Sequence, residues 1–208
     1  MAIKLLASNN QHVEIIKKGL NMFQQSSFNV ALKTSESARA EELSTSLPHP
    51  VFFVTLADFI ENDFLRKARR VGLRYLLLDG NEPYAAATLR VTGPRRSPKF
   101  YGLTHGDGIG RMVEAVGFAE TMPETKETNY ELRVLEIPEI SFKGLWLYTG
   151  ADFDDDFIIP MRTMRGDDSS GFSSIRQADL HHLLLASARR ARDFIETGCP
   201  PNDPAQAC

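Results

Sequence analysis

The stretch "LRYLLLDGNEPYAAATLRV" (73–91) constrains the fold most. Two β-prone runs flank Asp79-Gly80-Asn81, which supply the positive φ angles of a tight turn. That is a hairpin, and further short runs fit the sheet it starts. "VFFVTL" (51–56) and "KFYGL" (99–103) read as strands. "YELRVLEI" (130–137) and "ISFKGLWLY" (140–148) are two more, joined at Pro138-Glu139. "FIIPM" (157–161) follows, and Pro160, which has no N–H to donate, predicts an edge strand. In 130–137 the alternation sets Leu132, Val134, Leu135 and Ile137 against Glu131, Arg133 and Glu136.

Helical periods lie between and around these runs. Asn10 is placed to cap a helix in which Val13, Ile16, Leu20 and Phe23 share a face. A second, weakly amphipathic helix is expected over 35–46, on the outside. Thr55 with Asp58 three residues on opens a helix through "ADFIENDFLRKARR". Ile109, Met112, Val113, Val116 and Ala119 repeat at helical spacing. A last helix spans about 175–197, with Ser174 and Gln177 as a capping box and Gly198, Pro200 and Pro201 as its stop. Hairpins dominate, so the expected class is α+β: a mostly antiparallel sheet with helices packed on one face. The domain reading is a helical N-terminal segment (1–49), an α+β domain (50–198) with a long C-terminal helix, and a mobile tail (199–208).

A chain of 208 residues is long enough to bury a core without metal or disulfide staples. Its net charge of −3 gives no overall pull toward nucleic acid or anionic lipid. The basic clusters "RKARR" (66–70) and "GPRRSPK" (93–99) lack interleaved aromatics and read as a solvated helix end and loop. "MAIKLLASNNQ" is no signal peptide, and no run approaches the roughly 18 apolar residues of a spanning helix. No membrane partner is expected. Cys199 and Cys208 read as free thiols of a reducing cytoplasm.

"THGDGIGRMVEAV" (104–116) is the stretch with the most chemical promise. Glycines at a helix start let an anion approach unpaired backbone N–H groups at the positive end of the dipole. The Rossmann and P-loop spacings are both absent. "HGDGIGRM" resembles the acyl-CoA loop of the GNAT acyltransferase superfamily, whose pattern is Arg or Gln, two residues, Gly, one residue, Gly or Ala. The preceding hairpin also looks like the paired strands that precede that loop. The resemblance covers roughly 72–120 and implies an acyl-CoA cofactor, with Gly108, Gly110 and Arg111 holding its pyrophosphate. It also implies that the next strand runs parallel to the strand before the loop. His105 stands where the family has Arg or Gln. Without the resemblance, the stretch is a glycine-relieved turn in which Asp107 caps the helix.

Other motifs are incomplete. Asp152, Asp154 and Asp156 alternate like the start of an EF-hand loop, but Phe157 and Thr163 stand where Gly and Glu are needed. A solvated acidic loop is the expectation, with weak cation binding as the alternative. His181 and His182 are adjacent on a helix and point about 100° apart, so one packs and the other is exposed. No nucleophile elbow is present, and Glu131, Glu136 and Glu139 give no ground for naming a general base. Trp146 reads as a core aromatic. Leu180, Leu183, Leu184, Ala188, Ala191 and Phe194 form an apolar stripe, for core packing or a helix-mediated dimer.

Over roughly 50–163 the succession "RRVGLRYLLLDG", "AAATLRV", "YELRVLEIPEISFKGLWLY" and "DDFIIPM" resembles a group of uncharacterised bacterial proteins. This implies a bacterial or phage-like cytoplasmic setting and no particular activity. The functional expectation is a non-catalytic protein-binding or assembly protein, with no catalytic residues, metal or cofactor, whose partner is another protein or a second copy. The alternative is an acyl-CoA-dependent N-acyltransferase, GNAT-like, using Gly108, Gly110 and Arg111.

Overall fold

The computed structural model describes residues 3–4, 6–25, 43–91, 97–150, 152–162 and 171–198. Most of the expected 35–46 helix, the Thr163 position, much of "GPRRSPK", and the tail with both cysteines lie outside them. Helix α1 (Asn10–Gln25) lies between two very short strands, β1 (Ile3–Lys4) and β2 (Ser44–Thr45). Its cap is Asn9 rather than Asn10: Asn9 Oδ1 accepts from the Gln11 N–H at 2.8 Å. Residues 44–45, expected in a helix, pair with a strand instead.

Strand β3 (His49–Phe53) leads to α2 (Leu56–Ile60) and α3 (Phe64–Lys67). The Thr55–Asp58 cap forms as expected, the Asp58 N–H donating to Thr55 Oγ1 at 3.2 Å. The single helix expected here breaks in two, because Asn62 and Asp63 take positive φ angles of 66° and 52°. Asn and Asp tolerate that region better than most residues.

The hairpin is β4 (Arg69–Asp79) and β5 (Glu82–Arg90), with Gly80 at φ 60° in the turn. Then come β6 (Lys99–His105), α4 (Asp107–Thr121) and the single turn α5 (Glu124–Glu127). β7 (Tyr130–Ile137) and β8 (Phe142–Tyr148) are joined by a 3-10 turn at Pro138–Ile140. A second 3-10 turn, Phe153–Asp155, precedes β9 (Phe157–Arg162), and α6 (Gln177–Thr197) is the last element. The α6 cap position is Arg176, with no side-chain cap bond, so the expected Ser174–Gln177 capping box is not formed.

The strands make one sheet in the order β6-β5-β4-β3-β7-β8-β9, with β1 on β7 and β2 on β4. Neighbours are antiparallel except β3 with β7 and β1 with β7. The chain is therefore a mostly antiparallel α+β protein, as its hairpins predict. β9 lies at one end of the path, where Pro160 costs no ladder bond inside the sheet.

Helices cover both faces rather than one. On one face α4 packs Ile109, Met112, Ala115 and Ala119 against Leu76, Ala86, Val134, Leu145 and Ile159. On the other, α1 buries Ile16 and Leu20 against Tyr75, Leu77 and Leu89. Further along that second face, α2, α3 and α6 pack on Leu135, Ile137, Trp146 and Ile158. Central strands buried on both faces carry near-continuous apolar runs, so "LLL" at 76–78 feeds two cores at once. Gly19 lets α1 come close: a Cβ there would collide with the Phe100 ring on β6.

Two more expectations change with the register. The period of two puts Glu136 on the face of Leu132 and Val134, not opposite them, and it is 7% exposed. The α6 stripe is narrower than expected: Leu180, Leu184 and Ala188 are buried, while Leu183 and Phe194 are half exposed at 53% and 50%.

Candidate ligand cavity on the sheet

α4 covers only part of its sheet face. Beyond it lies a cavity of about 460 Å³, floored by β3, β4, β5 and β7 and walled by β6 and the start of β8. Strand β4 directs Arg74 into it, on the same face as Leu76 and opposite Thr88 of β5. Strand β7 contributes Glu136, and β8 places Lys143 directly across from it. β3 runs between β4 and β7, so the Arg74 guanidinium reaches over that strand to meet Glu136.

The contacts are specific. Arg74 Nη2 donates to Glu136 Oε1 at 2.8 Å and Nε donates to Thr88 Oγ1 at 3.3 Å. Lys143 Nζ stands 3.6 Å from the same carboxylate oxygen. The side chains of Arg74 and Glu136 are each 10% exposed, so their attraction is poorly screened by water. At the rim the Arg90 guanidinium lies 4.2 Å from the Tyr101 ring centroid, and Val51, Phe53 and Val71 supply apolar wall. His49 is the register partner of Arg74; burial first, then the Arg74 charge, lowers its pKa to about 4. Its Nδ1 is enclosed without a hydrogen-bond partner.

The glycine loop meets the same region. Arg74, Thr104 and Lys143 also line a smaller compartment of about 140 Å³, closed by His105, Gly108, Ile109 and Arg111. Gly106 precedes α4 with φ 85° and no side-chain cap bond, and Asp107 is the first helical residue rather than the cap. A Cβ on Gly108 or Gly110 would meet nothing within 4 Å, so these glycines do not relieve crowding by packed neighbours. Of the three residues that the GNAT resemblance singles out, Gly108 and Arg111 line the compartment and Gly110 does not. The Arg111 guanidinium lies 4.3 Å from the Phe172 ring centroid and 3.8 Å from Glu114, and its Nε is enclosed without a partner. After the loop and α4 the chain returns as β7 beside β3, with three strands between it and β6 at the edge of the path.

The acidic loop is taken apart by the fold. Asp156 is fully buried; its carboxylate accepts from Trp146 Nε1 at 2.7 Å and from the Thr149 N–H at 2.8 Å. Burial pushes its pKa up, against these hydrogen bonds. Asp152 instead caps the 3-10 turn, accepting from the Asp154 N–H at 3.4 Å. Among the described residues no three His, Cys, Asp or Glu side chains gather to hold a metal ion. Glu131 pairs with Arg133 at 2.9 Å and Glu139 accepts from the Leu56 N–H at 3.3 Å, away from Glu136. His181 packs on Phe59, ring centroids 5.4 Å apart, and His182 is exposed.

Of the cluster Arg74, Glu136 and Lys143, the sequence singled out Glu136 alone, without its partners. A usable signal was present: Arg74 interrupts the otherwise apolar "LRYLLL", and a charge inside a buried strand needs a partner. No helix among the described residues is long and apolar enough to cross a membrane. No family model, no curated protein and no solved structure matches this chain.

Proposed function

We propose that this chain binds a small anionic molecule in the cavity on its sheet. The observation that carries this reading is the convergence of Arg74, Arg90, Arg111 and Lys143 on two compartments with shared lining, against Glu136 as the one carboxylate among the described side chains there. A chain of net charge −3 concentrates positive charge there, in a concave site where fields are focused. The larger compartment falls in the range of about 300–1,000 Å³ usual for small-ligand sites. Thermal melts with inorganic phosphate, pyrophosphate, citrate, ATP and acetyl-CoA test the reading, with glucose as the neutral control. A ligand at a hundred times its Kd stabilises by about 2.7 kcal/mol, a readily seen rise in Tm. If none of these anions raises Tm, the reading fails. The acetyl-CoA arm also tests the acyltransferase alternative.

Protein assembly is the second reading, and it draws on α6, where Leu183, Phe194 and Ile195 remain exposed. Sedimentation of the full chain across a hundredfold concentration range tests it. A monomer throughout, unchanged by Phe194→Ser, removes self-association.

A further inference from the structure

The two compartments differ in chemistry, and the difference points to the kind of ligand. The larger one has apolar walls, Val51, Phe53 and Val71, and holds Glu136. Among the described side chains, the smaller one is lined by Arg74, Arg111 and Lys143 and by no carboxylate. We infer that the ligand is an amphiphilic anion, a carboxylate or phosphate head in the smaller compartment joined to an apolar body in the larger. This rests on the anion-binding reading above and adds the ligand's polarity and orientation.

Three donor groups support that placement of the head. Arg74 uses Nε on Thr88 and Nη2 on Glu136, which leaves the Nη1 hydrogens for a third acceptor. Lys143, at 3.6 Å from Glu136, is beyond hydrogen-bond distance of the carboxylate and keeps its donors available. Arg111 lines the same compartment, its guanidinium held 4.3 Å from the Phe172 ring centroid and 3.8 Å from Glu114. An anionic head in the larger compartment would instead meet the Glu136 carboxylate. At about 140 Å³ the smaller compartment suits a single acid group rather than a nucleotide. Arg74, Thr104 and Lys143 line both compartments, so head and body would lie to either side of these three side chains.

Calorimetry on the full chain, with octyl phosphate, octanoate, inorganic phosphate, acetate and 1-octanol as probes, tests this. The expected result is one-to-one binding of octyl phosphate or octanoate at least tenfold tighter than the matching head alone, with no saturable binding of octanol. Which of the two binds tighter identifies the head. Arg111→Gln and Lys143→Gln should each weaken the amphiphile at least tenfold. Val71→Phe, which narrows the larger compartment, should bring octyl phosphate down to the affinity of phosphate and leave phosphate itself unchanged. Circular dichroism melts confirm that each variant is folded. Phosphate binding without any gain from the octyl chain overturns the amphiphile inference alone. Equal affinity in both cation variants and the parent also overturns it. Failure of every anion, pyrophosphate and acetyl-CoA included, overturns the anion reading as well.

Discussion

Arg74 and Glu136, 62 residues apart in sequence, are joined at 2.8 Å across the intervening strand β3. The pair has unequal support. Glu136 also has Lys143 nearby, whereas among the described residues the other side-chain partner of Arg74 is the neutral Thr88 hydroxyl. Losing one partner of a buried pair costs about 3–5 kcal/mol, because a charge is left desolvated and unpaired. Glu136→Gln should therefore fall in that range. Arg74→Met should cost visibly less, since Lys143 still faces the carboxylate. Urea unfolding of both variants measures the difference; a smaller loss for Glu136→Gln than for Arg74→Met would contradict the geometry.

His49 gives the protein a pH-dependent term. Its folded pKa, about 4, lies below the ordinary histidine value of 6.5, so the unfolded chain binds the extra proton between those values. Stability from this group is complete above about pH 6.5 and falls as pH drops toward 4, by an amount on the order of 3 kcal/mol. The raised pKa of Asp156 has the opposite sign: the folded state holds its proton more tightly and gains as pH falls. The difference between parent and His49→Gln isolates the histidine. Parallel stability curves for the two between pH 7 and pH 4 would refute the assignment.

Asp156 ties the acidic loop to the core through Trp146. Asp156→Asn replaces an acceptor oxygen by an amide that faces the indole N–H or the Thr149 donors. The cost should be about 1–3 kcal/mol, that of a buried donor left unsatisfied. A change in Trp146 emission should accompany it, this being the only tryptophan of the chain. Added Ca²⁺ should leave the Tm of the parent unchanged, because the carboxylates of Asp152 and Asp156 are engaged separately. A calcium-dependent rise in Tm would restore the cation reading.

Gly19 reports on the docking of α1. In an isolated helix Gly→Ala gains about 1 kcal/mol. Here the added methyl meets the Phe100 ring, and overpacking costs about 1–3 kcal/mol. Gly19→Ala should thus be neutral to destabilising in the parent. In a Phe100→Leu background, where the ring is gone, it should turn stabilising. Additive effects in that double-mutant cycle would mean that the two residues do not touch.

The sequence by itself determined the local elements. The Asp79-Gly80-Asn81 turn, the Thr55–Asp58 cap, the Gly198 helix stop and the edge placement of Pro160 all follow from chemistry within a few residues, and all are formed. The hairpins in turn determine a mostly antiparallel sheet. What only the tertiary structure decided is the crossover from β6 through α4 that lays β7 parallel to β3. No period or turn residue encodes which distant strand becomes a neighbour; that choice rests on burying both faces of the sheet at once. The crossover also makes the cavity, since it carries Glu136 and Lys143 to Arg74 while α4 leaves part of the face open. The glycine loop was legible as a helix start. That it borders the same cavity depended on where the sheet placed it.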